Sequence, residues 1–415
     1  MPAFRLIFLL FPVIFAHFTV LSQSPSSLRI NQVGYYIDRT KLASWTSSGP
    51  SRSFRLVAVP GNRTVFKGKS SGPVASRNSS LQIHTLDFST FNKPGLYRII
   101  LEDGDSSYPF TISAAPHHDA AVASLKGFYF QRMSTTLSPV YAGKWARPFA
   151  HPDEHVLVHA SAATEKRPEG TVIASPGGWY DAGDYNKYIV NSAITVSTLM
   201  TAYEDFPSYF SSVKTAIPES DNAIPDILDE VLWNLRWMLT MQDPDDGGVY
   251  HKCTNAAFDA MAMPTACTRP RYVVMKSTAA ALDFAASMAQ AGRLFEPLEK
   301  QLPKLYDSCM RAARMAWNWA LRNPNIIYDQ DRMNKSFLPA ITTGSYGDGH
   351  LDDEWFWAAA ELTASTGQDK YAKVVEAHMD LPLELPSWNS VALMGYHTLI
   401  REERIFSPWI RVITK

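Results

Sequence analysis

Cysteine is scarce in this chain: three residues in 415, at Cys253, Cys267 and Cys309. An odd count allows one intramolecular disulfide at most, so no disulfide framework holds the fold together. Cys253 and Cys267 flank a loop and are the only pair suited to a bridge, and free, buried thiols are the favoured reading over it. There is no C-x-x-C and no Cys/His cluster at zinc spacing, which excludes zinc-finger-like modules. An excess of one charge is also missing. With 39 basic and 40 acidic residues the formal net charge is -1, and no basic patch offers a surface to nucleic acid. Long apolar runs are absent after the N-terminus, so no later segment is a membrane span. Short sequence repeats are absent too, which argues against an ordinary solenoid.

What is present begins with a targeting pattern. Arg5 precedes an almost unbroken apolar run over residues 6–15, and Val20-Leu21-Ser22 offers a cleavage site before Gln23. Residues 1–22 therefore read as a cleavable signal peptide, implying an exported protein, secreted or periplasmic. The remaining length exceeds what one core usually organises, and 46% apolar residues suffice for two.

The two parts differ in period. Over residues 28–114, runs rich in β-branched and aromatic residues (28–36, 54–59, 81–86) alternate with Gly, Pro, Asn and Ser clusters. Tyr97, Ile99 and Leu101 alternate with Leu96, Arg98 and Ile100, and the Asp103-Gly104 turn leads to Tyr108-Pro109-Phe110-Thr111-Ile112, a hairpin pattern. A small β-sandwich is expected. From residue 117 onward helical spacing takes over. Ile227, Leu228, Val231, Leu232, Leu235, Met238 and Leu239 recur at three- and four-residue steps over 226–241, behind Pro225. Ser277 is placed to cap an Ala-rich helix over 278–295. Further helices are expected over 306–321, 353–366, 371–378 and 389–402, with no prominent strand between them. An all-α toroid of paired helices, with a groove built by its loops, fits this pattern.

The chemistry-bearing stretch is Ser175-Pro176-Gly177-Gly178-Trp179-Tyr180-Asp181-Ala182-Gly183-Asp184-Tyr185-Asn186-Lys187-Tyr188. Glycines at 177, 178 and 183 permit turns closed to other residues. Asp181 and Asp184, three apart, must interact electrostatically. Taken bare, Asp-x-x-Asp is more often a calcium loop, a helix cap or a solvated turn.

The whole stretch, however, closely resembles the base-bearing loop of glycoside hydrolase family 9. Arg29-Ile30-Asn31-Gln32-Val33-Gly34-Tyr35 resembles the start of the immunoglobulin-like domain found in one branch of that family. Ile224-Pro225-Asp226-Ile227-Leu228-Asp229-Glu230, Gly247-Gly248-Val249-Tyr250-His251-Lys252, Tyr346-Gly347-Asp348-Gly349 and Asp353-Glu354-Trp355-Phe356-Trp357 are similar to later stretches, in order. The resemblance implies an immunoglobulin-like β-sandwich over 28–114, then an (α/α)6 toroid from 117 to 415. It also implies inverting hydrolysis of internal β-1,4-glucosidic bonds of a β-glucan polysaccharide or oligosaccharide, with no cofactor required. By position, Asp184 matches the catalytic base and Asp181 the aspartate that helps hold the attacking water. An inverting enzyme needs such a base and an acid across the bond, roughly 6.5–9.5 Å apart. Trp179, Tyr180, Tyr250, His251 and Trp355 are the substrate-binding candidates, since flat rings stack on sugar faces and His251 could bond a hydroxyl. Trp355 is equally placed for the core, and Trp357 reads as core. Asp226, Asp229, Glu230, Asp243, Asp245 and Asp246 leave calcium open as a structural ion, although solvated-loop or capping roles are commoner.

Two departures from the family pattern stand out. Many relatives carry a Cys/His zinc site before the base loop. Residues 129–175 here hold His151, His155 and His159 but no cysteine, so no metal site is expected, and nearby prolines place these histidines in a solvated loop. The family's general acid is a glutamate in the final part of the module. No position matches it, Glu354, Glu361, Glu402 and Glu403 included, and the expectation is a toroid whose C-terminal part is missing.

Overall fold

The computed structural model describes residues 27–402. The signal-peptide reading and Glu403 lie outside them. The chain divides into two compact units, residues 1–121 and 122–415.

Among the described residues the first unit holds nine strands: β1 (Leu28–Arg29), β2 (Tyr35–Tyr36), β3 (Leu42–Thr46), β4 (Ser53–Ala58), β5 (Thr64–Lys69), β6 (Val74–Ala75), β7 (Gln82–Asp87), β8 (Gly95–Leu101) and β9 (Phe110–Ser113). They form two sheets, ordered β1-β3-β7-β6 and β2-β9-β8-β4-β5. Period-two alternation decides the facing. In β8, Tyr97, Ile99 and Leu101 are buried while Leu96 is exposed. They join Phe54, Leu56, Phe110 and Ile112 from their own sheet, and Trp45 and Leu86 from the other, in one core. Each fully buried side chain of this size stabilises by roughly 1.5–3 kcal/mol. The expected hairpin is β8–β9, with Tyr97 opposite Phe110.

The second part contains α1 (His118–Gln131), α2 (Pro139–Ala142), α3 (Ile189–Asp205), α4 (Pro207–Ser212), α5 (Asp226–Thr240), α6 (Thr278–Phe295), α7 (Leu305–Arg322), α8 (Gln330–Ser336), α9 (Asp352–Thr366), α10 (Asp369–Ala377) and α11 (Ala392–Arg401). Helix α6 begins where the sequence places it: Ser277 Oγ accepts from Ala280 N at 3.2 Å. Its small side chains are buried on every side, against α3, α7 and α9. Its polar residues Asp283, Ser287 and Gln290 are enclosed with them. Helices α10 and α11 pack on α9, and α5 on α3.

The helical unit also carries a feature the sequence reading missed. Five short strands, β10 (Val156–Val158), β11 (Val172–Ile173), β12 (Lys187–Tyr188), β13 (Lys252–Asn255) and β14 (Arg271–Val273), form a sheet ordered β11-β10-β14-β13-β12. Strands of two to four residues show no alternation long enough to detect in sequence. This sheet positions the site.

Candidate active site

The Asp181–Asp184 loop is held between α5 and the small sheet. Gly177 and Gly178 take φ of 78° and 80°. A Cβ on Gly178 would stand 2.9 Å from the Trp237 ring of α5. Trp233 Nε1 donates to Gly178 O at 3.1 Å, and Asn234 Oδ1 accepts from Trp179 N at 3.1 Å. Within the turn, Asp184 N donates to Asp181 O at 3.0 Å. The left-handed position there is Ala182, at φ 51°, and not Gly183 as the sequence suggests. A non-glycine residue in that region carries local strain. After the turn, β12 pairs with β13, setting Lys187 opposite Cys253 and Tyr188 opposite Lys252.

Both carboxylates are half-buried and donor-bound. Asp184 accepts from Asn186 N at 2.7 Å and from the Tyr188 hydroxyl at 3.2 Å. Asp181 accepts from the Tyr346 hydroxyl at 2.8 Å and from Asn191 Nδ2 at 3.3 Å. Burial raises the Asp184 pKa above the usual carboxylate value, opposed by the Asn186 bond and assisted by the nearby Asp181 charge. Burial and Asp181 together push the Tyr346 hydroxyl up to about 12, so it remains a donor.

A second layer fixes Tyr346. His251 contacts Ser277 Oγ at 2.9 Å through Nδ1 and Ser345 O at 3.0 Å through Nε2. Its ring stacks on Tyr328 with centroids 4.0 Å apart. Burial and the Lys252 charge bring its pKa down to about 3, leaving it neutral. Lys252 donates to Gly344 O at 2.6 Å, Gln330 Oε1 at 2.7 Å and Thr343 Oγ1 at 3.0 Å. Burial lowers its pKa to about 7, with Asp184 acting in the opposite direction.

A cavity of about 200 Å³ opens beside the loop, lined by Phe128, Gln131, Trp179, Asp181, Tyr188 and Asn191 among others. A larger cavity, about 610 Å³, lies between residues 149–157 and 264–271 and includes neither aspartate. The smaller cavity is the one that Asp181 lines.

The aromatic candidates are placed less openly than expected. Trp179 lines the small cavity but packs on Phe128 at 4.8 Å and is 6% exposed. Tyr180 points its hydroxyl at His151 Nδ1, 2.9 Å away. Tyr250 and His251 have no exposed surface. The Tyr250 hydroxyl donates to Asp243 at 3.1 Å and accepts from Arg167 at 3.3 Å. A ring enclosed on both faces cannot stack on a sugar, so in this conformation Tyr250 and His251 are supports for the site. Trp355 is half-buried and edge-on to Trp317 at 5.0 Å; Trp357 is fully buried, as its core reading has it. Sequence reasoning missed Tyr188, Asn191, Tyr346 and Lys252 as site residues. Tyr188, Lys252 and Tyr346 did stand in the quoted stretches, but only the fold brings Tyr346 to Asp181.

Other expectations meet the structure as follows. The three cysteines are free and buried. His151 and His159 are buried, not solvated: each finds a partner inside, Tyr180 for His151 and Pro339 O at 3.0 Å for His159. The six acidic residues considered for calcium have protein partners. Lys276 Nζ binds Asp243 and Asp246 at 2.7 Å each, and Arg132 binds Glu230 at 3.0 Å. Thr215 and Ser220 engage Asp226, Asn222 engages Asp229, and Lys166 engages Asp245. Among the described residues no three His, Cys, Asp or Glu side chains form a metal-holding group. Nor is any described helix long and apolar enough to cross a membrane. Glu354 and Glu361 are buried, Glu361 on Arg293 at 2.9 Å.

Comparison with known proteins places the sandwich, the helical unit and its Asp-x-x-Asp loop among the glycosyl hydrolases. Residues 117–402 match Glycosyl hydrolase family 9, and residues 23–106 match the Cellulase N-terminal ig-like domain. The chain belongs to glycosyl hydrolase family 9, with an immunoglobulin-like domain ahead of its catalytic domain. It is 44% identical over 378 residues to a xyloglucan-specific endo-beta-1,4-glucanase of Bacteroides ovatus, covering 91% of this chain and 64% of that protein. It is 31% identical over 388 residues to Endoglucanase D of Acetivibrio thermocellus, covering 92% and 59%. The chain thus spans less than two thirds of the length of either relative. Among solved structures, Bacteroides ovatus GH9 superimposes with a TM-score of 0.88 at 43% identity, covering 92% of this chain and 71% of that one. AaCel9A in complex with cellobiose-like isofagomine follows with a TM-score of 0.79 at 30% identity, covering 91% and 67%. The helical unit is consistent with the (α/α)6 toroid of such neighbours.

Proposed function

We propose that this chain acts on β-1,4-linked glucan and supplies the base side of an inverting endo-hydrolysis. Asp184 takes the proton of the attacking water, and Asp181 orients that water. The single observation that carries this is the pairing of the two carboxylates within one turn, each bound to its own donors, with Asp181 lining a small cavity beside them. Partial desolvation raises the proton affinity of Asp184, which suits a group that must accept a proton. In that step the water oxygen bonds to the anomeric carbon as its proton passes to Asp184, the bond to the leaving sugar oxygen breaks, and that oxygen takes its proton from a donor other than the two aspartates; no cofactor enters this reading. Xyloglucan is the proposed substrate within this class, on the strength of the 44% identical relative. Export through the N-terminal segment is part of the same reading, because such a polymer lies outside the cell.

Reducing-end release from xyloglucan, carboxymethylcellulose and mixed-linkage glucan tests the activity, with the anomer first formed read by NMR. Asp184→Asn is expected to lower turnover by about 10²–10⁴-fold with normal folding, the usual share of acid–base catalysis. Unchanged turnover in a folded Asp184→Asn protein defeats the assignment. Binding of these glucans without hydrolysis by the parent chain would instead favour a carbohydrate-binding role.

A further inference from the structure

The base loop is gripped from behind by a buried charge cluster that the proposed chemistry does not itself use. Asp153 sits with its side chain 1% exposed between two cations, Lys187 and Arg271. Its Oδ2 is 2.7 Å from Lys187 Nζ, and its Oδ1 is 2.7 Å from Arg271 Nε. Each cation then reaches the backbone of the loop. Lys187 Nζ donates to Ser175 O at 2.8 Å and to Gly177 O at 2.9 Å, upstream of Asp181. With Asp153, these bonds use all three ammonium protons. Arg271 Nη1 donates to Tyr185 O at 2.6 Å, immediately downstream of Asp184, and to Asn255 Oδ1 at 3.1 Å. The Asp153 backbone closes the arrangement, since its carbonyl accepts from Ser175 N at 2.7 Å.

We propose that Asp153 is a positioning residue: by binding Lys187 and Arg271 together, it fixes the carbonyls on both flanks of the Asp181–Asp184 turn and so sets the alignment of the two carboxylates. This rests on the reading of Asp184 as base and adds a residue that lies 31 positions away from it in sequence. The physical reason is the cost of burying charge. Two buried cations without their anion are each strongly penalised, so they would turn to water or lose a proton and release the carbonyls they hold. Small misplacements of a reacting group cost about 10²-fold in rate.

Two variants test this. Asp153→Asn keeps shape but cannot neutralise two cations. Arg271→Lys keeps the charge beside Asp153 but cannot reach Asp153 and Tyr185 O together. For each, kcat and KM on xyloglucan are measured well below the melting temperature, with kcat/KM followed against pH and folding checked by circular dichroism. A positioning role predicts kcat lower by about 10²-fold, KM within about threefold, and a displaced acid limb. A purely structural role predicts a lower melting temperature with parental kcat in the folded protein, which overturns the proposal. If the parent shows no turnover, the reading of this chain as a hydrolase fails separately. The proposal is then decided by carboxylate ¹³C titration, with Asp184 assigned through Asp184→Asn. A moved Asp184 midpoint in Arg271→Lys supports it, and superimposable curves overturn it.

Discussion

Replacing Tyr346 by phenylalanine removes the hydroxyl that donates to Asp181 at 2.8 Å and that Asn191 also engages. The ring keeps its edge contacts to Tyr188 at 4.7 Å and Trp388 at 5.3 Å. Ser345 remains tied to His251 at 3.0 Å, so the segment is not freed. A hydrogen bond to a charged group contributes roughly 1.5–3 kcal/mol. Expressed fully at the transition state, that is a loss of roughly 10- to 150-fold in kcat. Asn191 still holds Asp181 at 3.3 Å, which places the expectation in the lower part of that range. KM should stay within about twofold, because the hydroxyl is engaged by Asp181 and not offered to a sugar. The assay is initial-rate reducing-end release on xyloglucan, with melting temperature as control. A second arm uses the double variant with Asp181→Asn: groups acting as one unit are not additive, so the double should lose little more than Asp181→Asn alone. A Tyr346→Phe enzyme with kcat within twofold of the parent would refute the reasoning, as would losses that simply multiply.

Gly178→Ala is expected to destabilise by roughly 2–4 kcal/mol, combining positive-φ strain with overpacking against Trp237; urea unfolding that shows less than about 1 kcal/mol rejects this. Burial lowers His151 to about 4 and His251 to about 3, so the unfolded chain binds their protons first as pH falls below about 6.5. Their neutral state therefore adds stability above that pH which is lost on acidification. Relative to the parent, His151→Phe should reduce the slope of stability against pH by up to about 1.4 kcal/mol per unit between pH 6.5 and 4.5; parallel curves would contradict it. Lys252, with its pKa lowered to about 7, holds Gly344 and Thr343 as an ammonium. The kcat/KM profile should therefore fall on the alkaline side near that value, and Lys252→Arg should move the fall to higher pH. An alkaline limb that Lys252→Arg leaves in place separates the two.

What could be read in the sequence was local. Helix α6 was legible because a cap residue and the buried surface both fall within nineteen consecutive positions. Helix α5 was legible because its buried residues recur at helical steps behind a proline. The β8–β9 hairpin carried alternation and a turn in under twenty residues. The small sheet was not legible, because β12, β13 and β14 are short and pair across long intervening segments. The site shows the same division. Asp181 and Asp184 stand in one recognisable run, whereas the donor on Asp181 comes from Tyr346, 165 residues on. Tyr250 and His251 carried the right residue types for sugar binding, yet spacing could not say that buried carboxylate, hydroxyl and carbonyl partners already occupy them.

The supports of the base loop share one physical character, and it explains why they lie outside the hydrophobic pattern. Apolar packing sets where α5 and α3 lie, but it is non-directional and tolerates small shifts. A carboxylate that must meet a water in one orientation needs directional restraint, and buried hydrogen-bonded ions supply it. Lys187 and Arg271 hold the loop's carbonyls, Lys252 holds the segment that delivers Tyr346, and all three are almost wholly enclosed. Buried ion pairs are weak sources of net stability, since desolvation offsets most of their attraction. Their concentration around one turn is therefore better explained by the geometry they impose than by the stability they add. On that view the two aspartates are the visible end of an electrostatic scaffold built mainly from β12, β13 and β14, the part of the fold that hydrophobic periodicity was least able to announce.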